Sequence, residues 1–279
     1  DWLRELRAED RASTDFLASY LASTADDFER AMRTHRGQAR AETILVLCPS
    51  AAPEDAAEAL IERTEQALID RLTGLPGLTI VRAADFHAIY SVRDDQVADH
   101  VREHIAHIPY QPAYFHTLAT IAMRHVHRKL APRRKLVAVD CDNTLWSGVV
   151  GEVGPEGVTF DEGHRALHET LTRLADSGVL VALCSKNEEA DVWRVFDTRP
   201  DLGLKRERIV TAAINWQPKS ANLRWLADRL NLGLDSFIFI DDNPVECAEV
   251  RSGCPQVLTL QWPTDPERAI RLLQHTWEL

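Results

Sequence analysis

The sequence predicts an α/β protein in which a doubly wound parallel sheet fills the second half and a smaller α/β unit precedes it. Three observations carry this. From Lys135 onward, short runs that are apolar throughout alternate with helical patterns, which is how strands buried on both faces of a parallel sheet read beside their crossover helices. Before that point only two such runs occur, among longer helical stretches. At 279 residues, 45% hydrophobic and 27% charged, the chain is long enough for two ordinary domains with cores of useful size. The expected boundaries are 1–130 and 131–279.

In the first unit, the run Thr43-Ile44-Leu45-Val46-Leu47-Cys48 reads as a buried strand. The Pro/Ser stretch after it opens an Ala- and Glu-rich helix from about Pro53 to Leu72. A turn at Gly74-Leu75-Pro76-Gly77 leads into a second strand, Leu78-Thr79-Ile80-Val81, and helical patterns follow over Asp94–His107 and Pro112–Leu130. The second unit is expected to run strand Lys135–Val139, helix Glu162–Asp176, strand Val179–Cys184, helix Glu188–Phe196, strand Arg208–Thr211 and helix Pro218–Asn231. It continues with strand Ser236–Ile240, helix Pro244–Arg251, strand Gln256–Leu260 and helix Asp265–Trp277. No repeat at a solenoid or propeller period is visible.

Composition narrows the function. With 12 Gly and 13 Pro the chain is neither collagen-like nor low-complexity. Apolar runs such as Gly178–Cys184 fall far short of the roughly 18 residues a membrane span needs, so no membrane partner is expected. A formal net charge of −11 disfavours general attraction to nucleic acid or anionic lipid. Cys48, Cys141, Cys184, Cys247 and Cys254 show no metal-binding spacing and sit in or beside apolar runs, as reduced cytoplasmic thiols do. The chain opens with Asp1 and no signal-peptide pattern, and is read as a trimmed or excised part of a longer polypeptide.

In a doubly wound sheet, chemistry collects beyond the carboxyl ends of the strands. There the sequence places Asp140-Cys141-Asp142-Asn143-Thr144 after one strand and Asp241-Asp242-Asn243 after another. Carboxylates brought together at buried strand ends repel unless a cation lies between them, and a hard ion with oxygen ligands, Mg²⁺ above all, resolves the conflict. Ser185-Lys186-Asn187 offers a hydroxyl and backbone N–H groups at a strand-to-helix turn. Lys219, after Gln217-Pro218, puts an ammonium at a helix start, where the dipole disfavours it unless an anion faces it. Acids, a hydroxyl and a lysine in this order make the inventory for phosphoryl transfer through an aspartyl-phosphate.

These residues resemble the haloacid-dehalogenase (HAD) superfamily, whose first motif has the form DxDxT. The resemblance implies an HAD-like (Rossmannoid) fold in which Asp140 is the nucleophile and Asp142 the general acid/base. Thr144, Ser185, Lys186, Asn187 and Lys219 are then candidate phosphate-binding residues, and Mg²⁺ is held by Asp140, the backbone carbonyl of Asp142, Asp241 and Asp242. Neither gap where this superfamily inserts a cap is long enough for one, so an open site is expected. The segment 145–157, with glycine at 148, 151, 154 and 157, reads as a mobile hairpin flap beside the catalytic acids, and Trp146 as a packing residue or pocket wall.

The runs Asp140–Glu152, Cys184–Asn187 and Phe239–Glu246, with Ile108-Pro109-Tyr110 and Tyr114-Phe115 upstream, resemble the FkbH-like branch of that superfamily. Its glyceryl transferase/phosphatases take 1,3-bisphosphoglycerate, remove both phosphates and deliver a glyceryl thioester to the phosphopantetheine arm of an acyl carrier protein in polyketide or tetronate assembly. The resemblance implies that Cys141 carries the glyceryl group. Alternation along an extended strand, however, points Cys141 away from the face used by Asp140 and Asp142, as a packing cysteine would be. The run Arg124, His125, His127, Arg128, Lys129, Arg133, Arg134 and Lys135 is a basic cluster that can steer an acidic carrier or simply form a solvated helix end. His87, His104, His107 and His116 show no ligand spacing. Two other readings stand beside glyceryl transfer: an uncapped phosphohydrolase acting on a phosphoprotein or sugar phosphate, and a non-catalytic carrier-protein docking module.

Overall fold

The computed structural model describes residues 2, 6, 13–49, 55–82, 85, 87 and 89–279. The chain divides into two compact units, residues 1–127 and 128–279.

In the first unit, helix α1 (Thr14–Gln38) starts at Ser13, whose Oγ accepts from the Phe16 N–H. Strands β1 (Thr43–Leu47) and β2 (Leu78–Arg82) pair in parallel, Ile44 opposite Thr79, with helix α2 (Asp55–Leu72) between them in sequence. The expected onset of that helix at Pro53 lies outside the described residues. Leu17 and Leu21 of α1 pack with Ala57 and Ile61 of α2. The pattern over Asp94–His107 resolves into a 3-10 turn at Asp94–Gln96 and a short helix α3 (His100–Ala106). Asp99 breaks it: its carboxylate caps the second piece by accepting from the Arg102 N–H at 2.9 Å. Helix α4 (Pro112–Leu130) supplies Tyr114 and Ile121 to a core with Val81.

The second unit is a five-stranded parallel sheet in the order β5-β4-β3-β6-β7. Its strands are β3 (Leu136–Val139), β4 (Leu180–Ser185), β5 (Ile209–Ile214), β6 (Phe237–Asp241) and β7 (Leu258–Gln261). Alternation sorts the central strand between two layers. Val137 and Val139 join an apolar cluster with Leu167 and Leu171 of α6 (Glu162–Asp176), Val192 and Val195 of α7 (Glu189–Thr198) and Ala269 of α10 (Pro266–His275). Leu136 and Ala138 join the opposite cluster with Leu223 and Leu226 of α8 (Lys219–Leu230) and Val250 of α9 (Pro244–Gly253). This is the doubly wound, HAD-like fold expected from the sequence. The strands and helices anticipated after Lys135 are present, with ends shifted by at most three residues.

One expectation is corrected. The glycine-spaced segment after Trp146 is a short helix, α5 (Val150–Gly157), rather than a hairpin. Val150 is buried in the core, and Gly154, at φ 71°, bends the helix before Pro155. Ser147 and Thr159 exchange backbone hydrogen bonds at 2.9 and 3.1 Å, closing the base of the segment. No larger insertion follows β3, and only α7 and a 3-10 turn at Arg206–Arg208 separate β4 from β5, so no large cap is present in this unit. Among the described residues no helix is long and apolar enough to cross a membrane.

Candidate active site

The carboxyl ends of β3, β4 and β6 meet at one cleft of about 450 Å³. Asp140 follows β3, and its backbone N–H donates to Ile240 O at 2.9 Å, which carries the β3/β6 ladder one residue further and sets Asp140 beside Asp241. The chain then turns. Thr144 and Leu145 donate to Cys141 O, and Asn143 takes a left-handed conformation at φ 55° that Asn tolerates better than most residues. The Asn143 side chain accepts from the Gly148 N–H at 3.0 Å, tying the turn to the start of the α5 segment.

Lys219 is the charge centre. Only 2% exposed, it places Nζ 2.6 Å from Asp140 Oδ1 and 3.0 Å from Asp241 Oδ2, and donates to Cys184 O at 2.7 Å. Burial works against its ammonium, but Asp140 and Asp241 outweigh that and hold the group above the ordinary lysine range. Asp241, 0% exposed, accepts from the Asn243 N–H through Oδ1, while Oδ2 has no hydrogen bond and meets only the Lys219 charge. That oxygen is held by the Lys219 charge alone and so has room in its lone pairs for a cation. Asp140, Asp241 and Asp242 bring carboxylate oxygens within 4.8 Å of one another, a hard all-oxygen donor set that fits Mg²⁺. Burial first, and then the charges of Asp140 and Asp241, push the Asp242 carboxyl up to about 6.

Asp142 lies in a different environment. Oδ1 accepts from Trp146 Nε1 at 2.8 Å and from the Val150 N–H at 3.1 Å, and Oδ2 accepts from Asn187 Nδ2 at 2.9 Å. Burial raises its pKa despite these donors. Asn187 also reaches Ser185 Oγ at 3.4 Å, so the buried Ser185 hydroxyl at the end of β4 shares the Asp142 network.

Ser185, Lys186, Asn187 and Lys219 line the same cleft as Asp140, and three expectations are corrected. The Thr144 hydroxyl lies outside the cleft lining and accepts from the Asp242 N–H at 3.0 Å, so it orients Asp242 rather than facing phosphate. The Asp142 carboxylate is engaged by its own three donors, outside the Asp140, Asp241 and Asp242 cluster, and the expected metal contact of this residue is through its backbone carbonyl. Cys141 is 0% exposed and packs with Val139 and Leu145 in the apolar cluster, where burial and the neighbouring Asp140 push its thiol well above the ordinary cysteine value. In the basic run, Arg124 is buried and Arg134 donates to the carbonyls of Asp235 and Phe237, which removes both from any free cationic face. Trp146 does two jobs: it is enclosed against Phe196, and its indole N–H fixes Asp142.

Sequence reasoning missed the rim. Glu152 of α5, Glu188, Asp191, Trp216 and Glu246 line the same cleft, and Trp216, 67% exposed, donates to Glu188 at 3.0 Å. Glu152 and Glu246 had a readable signal, since they close the runs Asp140–Glu152 and Phe239–Glu246.

No protein-family model matches the chain, and no curated protein matches it. Among solved structures, it is similar to the N-terminal part of the protein BF1531 from Bacteroides fragilis, which contains a phosphatase domain and was solved with Mg. The likeness has a TM-score of 0.75 and 25% identity, and covers 93% of this chain and 73% of that one. A HAD family enzyme, bt-2542 from Bacteroides thetaiotaomicron, solved with magnesium and inorganic phosphate, matches 47% of this chain and 95% of its own at 10% identity and a TM-score of 0.38. The 3-deoxy-D-manno-octulosonate 8-phosphate phosphatase of Moraxella catarrhalis, solved with magnesium, phosphate and its sugar acid, matches 49% of this chain and 70% of its own at 23% identity and a TM-score of 0.32. The likeness to the BF1531 part, which contains a phosphatase domain and holds Mg, supports the fold read from the motifs and a phosphatase with a magnesium site.

Proposed function

We propose that the chain is a Mg²⁺-dependent phosphohydrolase that works through a phosphorylated Asp140. The observation that carries this is the buried Lys219 between Asp140 and Asp241, with Asp142 held separately by three donors at the same cleft. Asp140 Oδ attacks phosphorus as the ester P–O bond breaks, and Asp142, protonated at the start, gives its proton to the departing oxygen. Asp142, now a carboxylate, takes a proton from water as that water attacks the aspartyl-phosphate, which frees phosphate and restores both acids. The Ser185 hydroxyl supplies a donor for the phosphoryl oxygens, and Lys219 supplies positive charge beside Asp140. Asp140, Asp241 and Asp242 would hold Mg²⁺, which neutralises charge on the transferring group when bound.

The sequence resemblance carries a finer reading: glyceryl transfer from 1,3-bisphosphoglycerate to a carrier protein through a Cys141 thioester. That chemistry needs a thiol in the cleft. The Cys141 thiol is enclosed and held protonated, so the geometry supports hydrolysis of a phosphate ester first. A cytoplasmic setting, consistent with five free cysteines, belongs to the same proposal. Phosphate release from p-nitrophenyl phosphate and from a panel of sugar phosphates tests the reading. It predicts release that needs Mg²⁺ and vanishes in Asp140→Asn; equal release by wild type and Asp140→Asn would end it. Intact-mass analysis after mixing with 1,3-bisphosphoglycerate separates the finer reading, which requires an adduct that Cys141→Ala cannot form.

A further inference from the structure

The cleft is lined by eight carboxylates and two ammonium groups, and the two ammoniums are placed very differently. Lys219 is enclosed and committed to Asp140 and Asp241. Lys186 sits on the turn after β4, beside Ser185, with its side chain one-third exposed at 34%, and its Nζ lies 2.7 Å from Glu246 Oε1. Glu246, 17% exposed, is in the first turn of α9, which follows β6. In the sheet, β3 lies between β4 and β6. An ion pair joining the turn after β4 to the helix after β6 therefore spans the carboxyl end of β3, the strand that leads into Asp140. It is a strap at the phosphate end of the cleft, between residues 60 apart in sequence.

The strap has a cost for anion binding. A phosphoryl dianion entering beside Ser185 meets the Glu246 charge, and the ammonium next to Ser185 in the chain, that of Lys186, is already donating to that carboxylate. Both effects act in one direction. A lysine ammonium has three N–H donors, so Lys186 can turn toward phosphate, but only by weakening a short charge-assisted hydrogen bond.

We propose that Glu246 is a positioning residue that sets phosphate affinity: it competes with the phosphoryl group for Lys186, so that phosphate is bound loosely. This rests on the phosphohydrolase reading and adds a residue that acts through Lys186 rather than on the reacting atoms. The test measures binding of inorganic phosphate by calorimetry, with Mg²⁺ present, to wild type, Glu246→Gln, Lys186→Met and the double variant, alongside turnover of p-nitrophenyl phosphate. Glu246→Gln is expected to tighten phosphate binding about five- to tenfold and to lower KM with a smaller change in kcat, while Lys186→Met weakens binding. In the Lys186→Met background the Glu246→Gln gain should shrink to less than about twofold, the coupling expected of a contacting pair. Binding by Glu246→Gln that is unchanged or weaker overturns the proposal, as does an equal gain in both backgrounds, which would make Glu246 a general repulsive charge. Should Glu246→Gln not fold, Glu246→Asp keeps the charge at the helix start but draws it back from Lys186, and must tighten binding in the same sense. The same binding pattern without any turnover sinks hydrolysis and leaves the strap standing; turnover with a flat pattern does the reverse.

Discussion

Lys219→Met removes the ammonium that sits 2.6 Å from Asp140 and 3.0 Å from Asp241 and puts an apolar side chain of similar length in its place. Two carboxylates, one fully buried, are then left facing each other without a cation. Breaking a buried ion pair by removing one partner costs about 3–5 kcal/mol, because the remaining charge stays desolvated. For a unit of this size each kcal/mol corresponds to roughly 2–4 °C in Tm, so the metal-free variant should melt about 6–20 °C below wild type at pH 7. Two further signatures follow from the same geometry. The deficit should narrow at pH 5, since Asp241, already raised by burial, protonates more readily once Lys219 is gone. Mg²⁺ should restore more stability to the variant than to wild type, because the ion supplies the charge that the lysine no longer does. The assay is a thermal melt followed by circular dichroism, with EDTA or with Mg²⁺, at both pH values. A metal-free Tm within about 2 °C of wild type, or a Mg²⁺ shift equal in the two proteins, would refute the assignment of Lys219 as the neutralising centre.

Three other outcomes are expected. Asp142→Asn should keep the fold, cut turnover about 10²–10⁴-fold and let phosphorylated protein accumulate, as quench-flow with intact-mass detection would show. Cys141→Ala should keep phosphate release while losing about 1 kcal/mol of stability to the small cavity left in the core; abolished release would return Cys141 to the chemistry. The Asp242 carboxyl, raised to about 6 in the folded protein from an ordinary 3.8, binds a proton that the unfolded chain releases, so metal-free stability should fall as pH rises from about 4 to about 6. The full shift is worth about 3 kcal/mol at 1.36 kcal/mol per unit, and solvent screening of this half-buried group reduces it to about 1–2 kcal/mol. Chemical unfolding at stepped pH reads this directly, and a flat or rising trend would contradict it.

What was legible in the sequence was whatever rests on strand burial and on residue type at strand ends. Leu136–Val139 is apolar on both faces, so its place at the centre of the sheet and the role of the next residue as a site position could be read together. Asp140, Ser185, Lys219 and Asp241 follow from the same logic. The segment after Trp146 was misread because four evenly spaced glycines favour turns, whereas Val150, packed into the core, holds the stretch as a helix and only Gly148 and Gly154, both at positive φ, need their conformational freedom. Thr144 was misassigned for a related reason: its hydroxyl serves the Asp242 backbone, a partner 98 residues away that spacing cannot reveal. The rim residues Trp216 and Glu188 lie on connections whose arrangement depends on the closed sheet. Cys141 was ambiguous in the sequence, and alternation along β3 puts it with Val137 and Val139.

The most direct test of covalent catalysis at Asp140 is rapid acid quench of the Asp142→Asn protein with p-nitrophenyl phosphate and Mg²⁺, followed by peptide mass spectrometry. One phosphoryl group is expected on the peptide containing Asp140, formed only with Mg²⁺ and released by hydroxylamine. Mg²⁺-dependent phosphate release with no phosphorylated peptide at any time, and with Asp140→Asn still active, would contradict it.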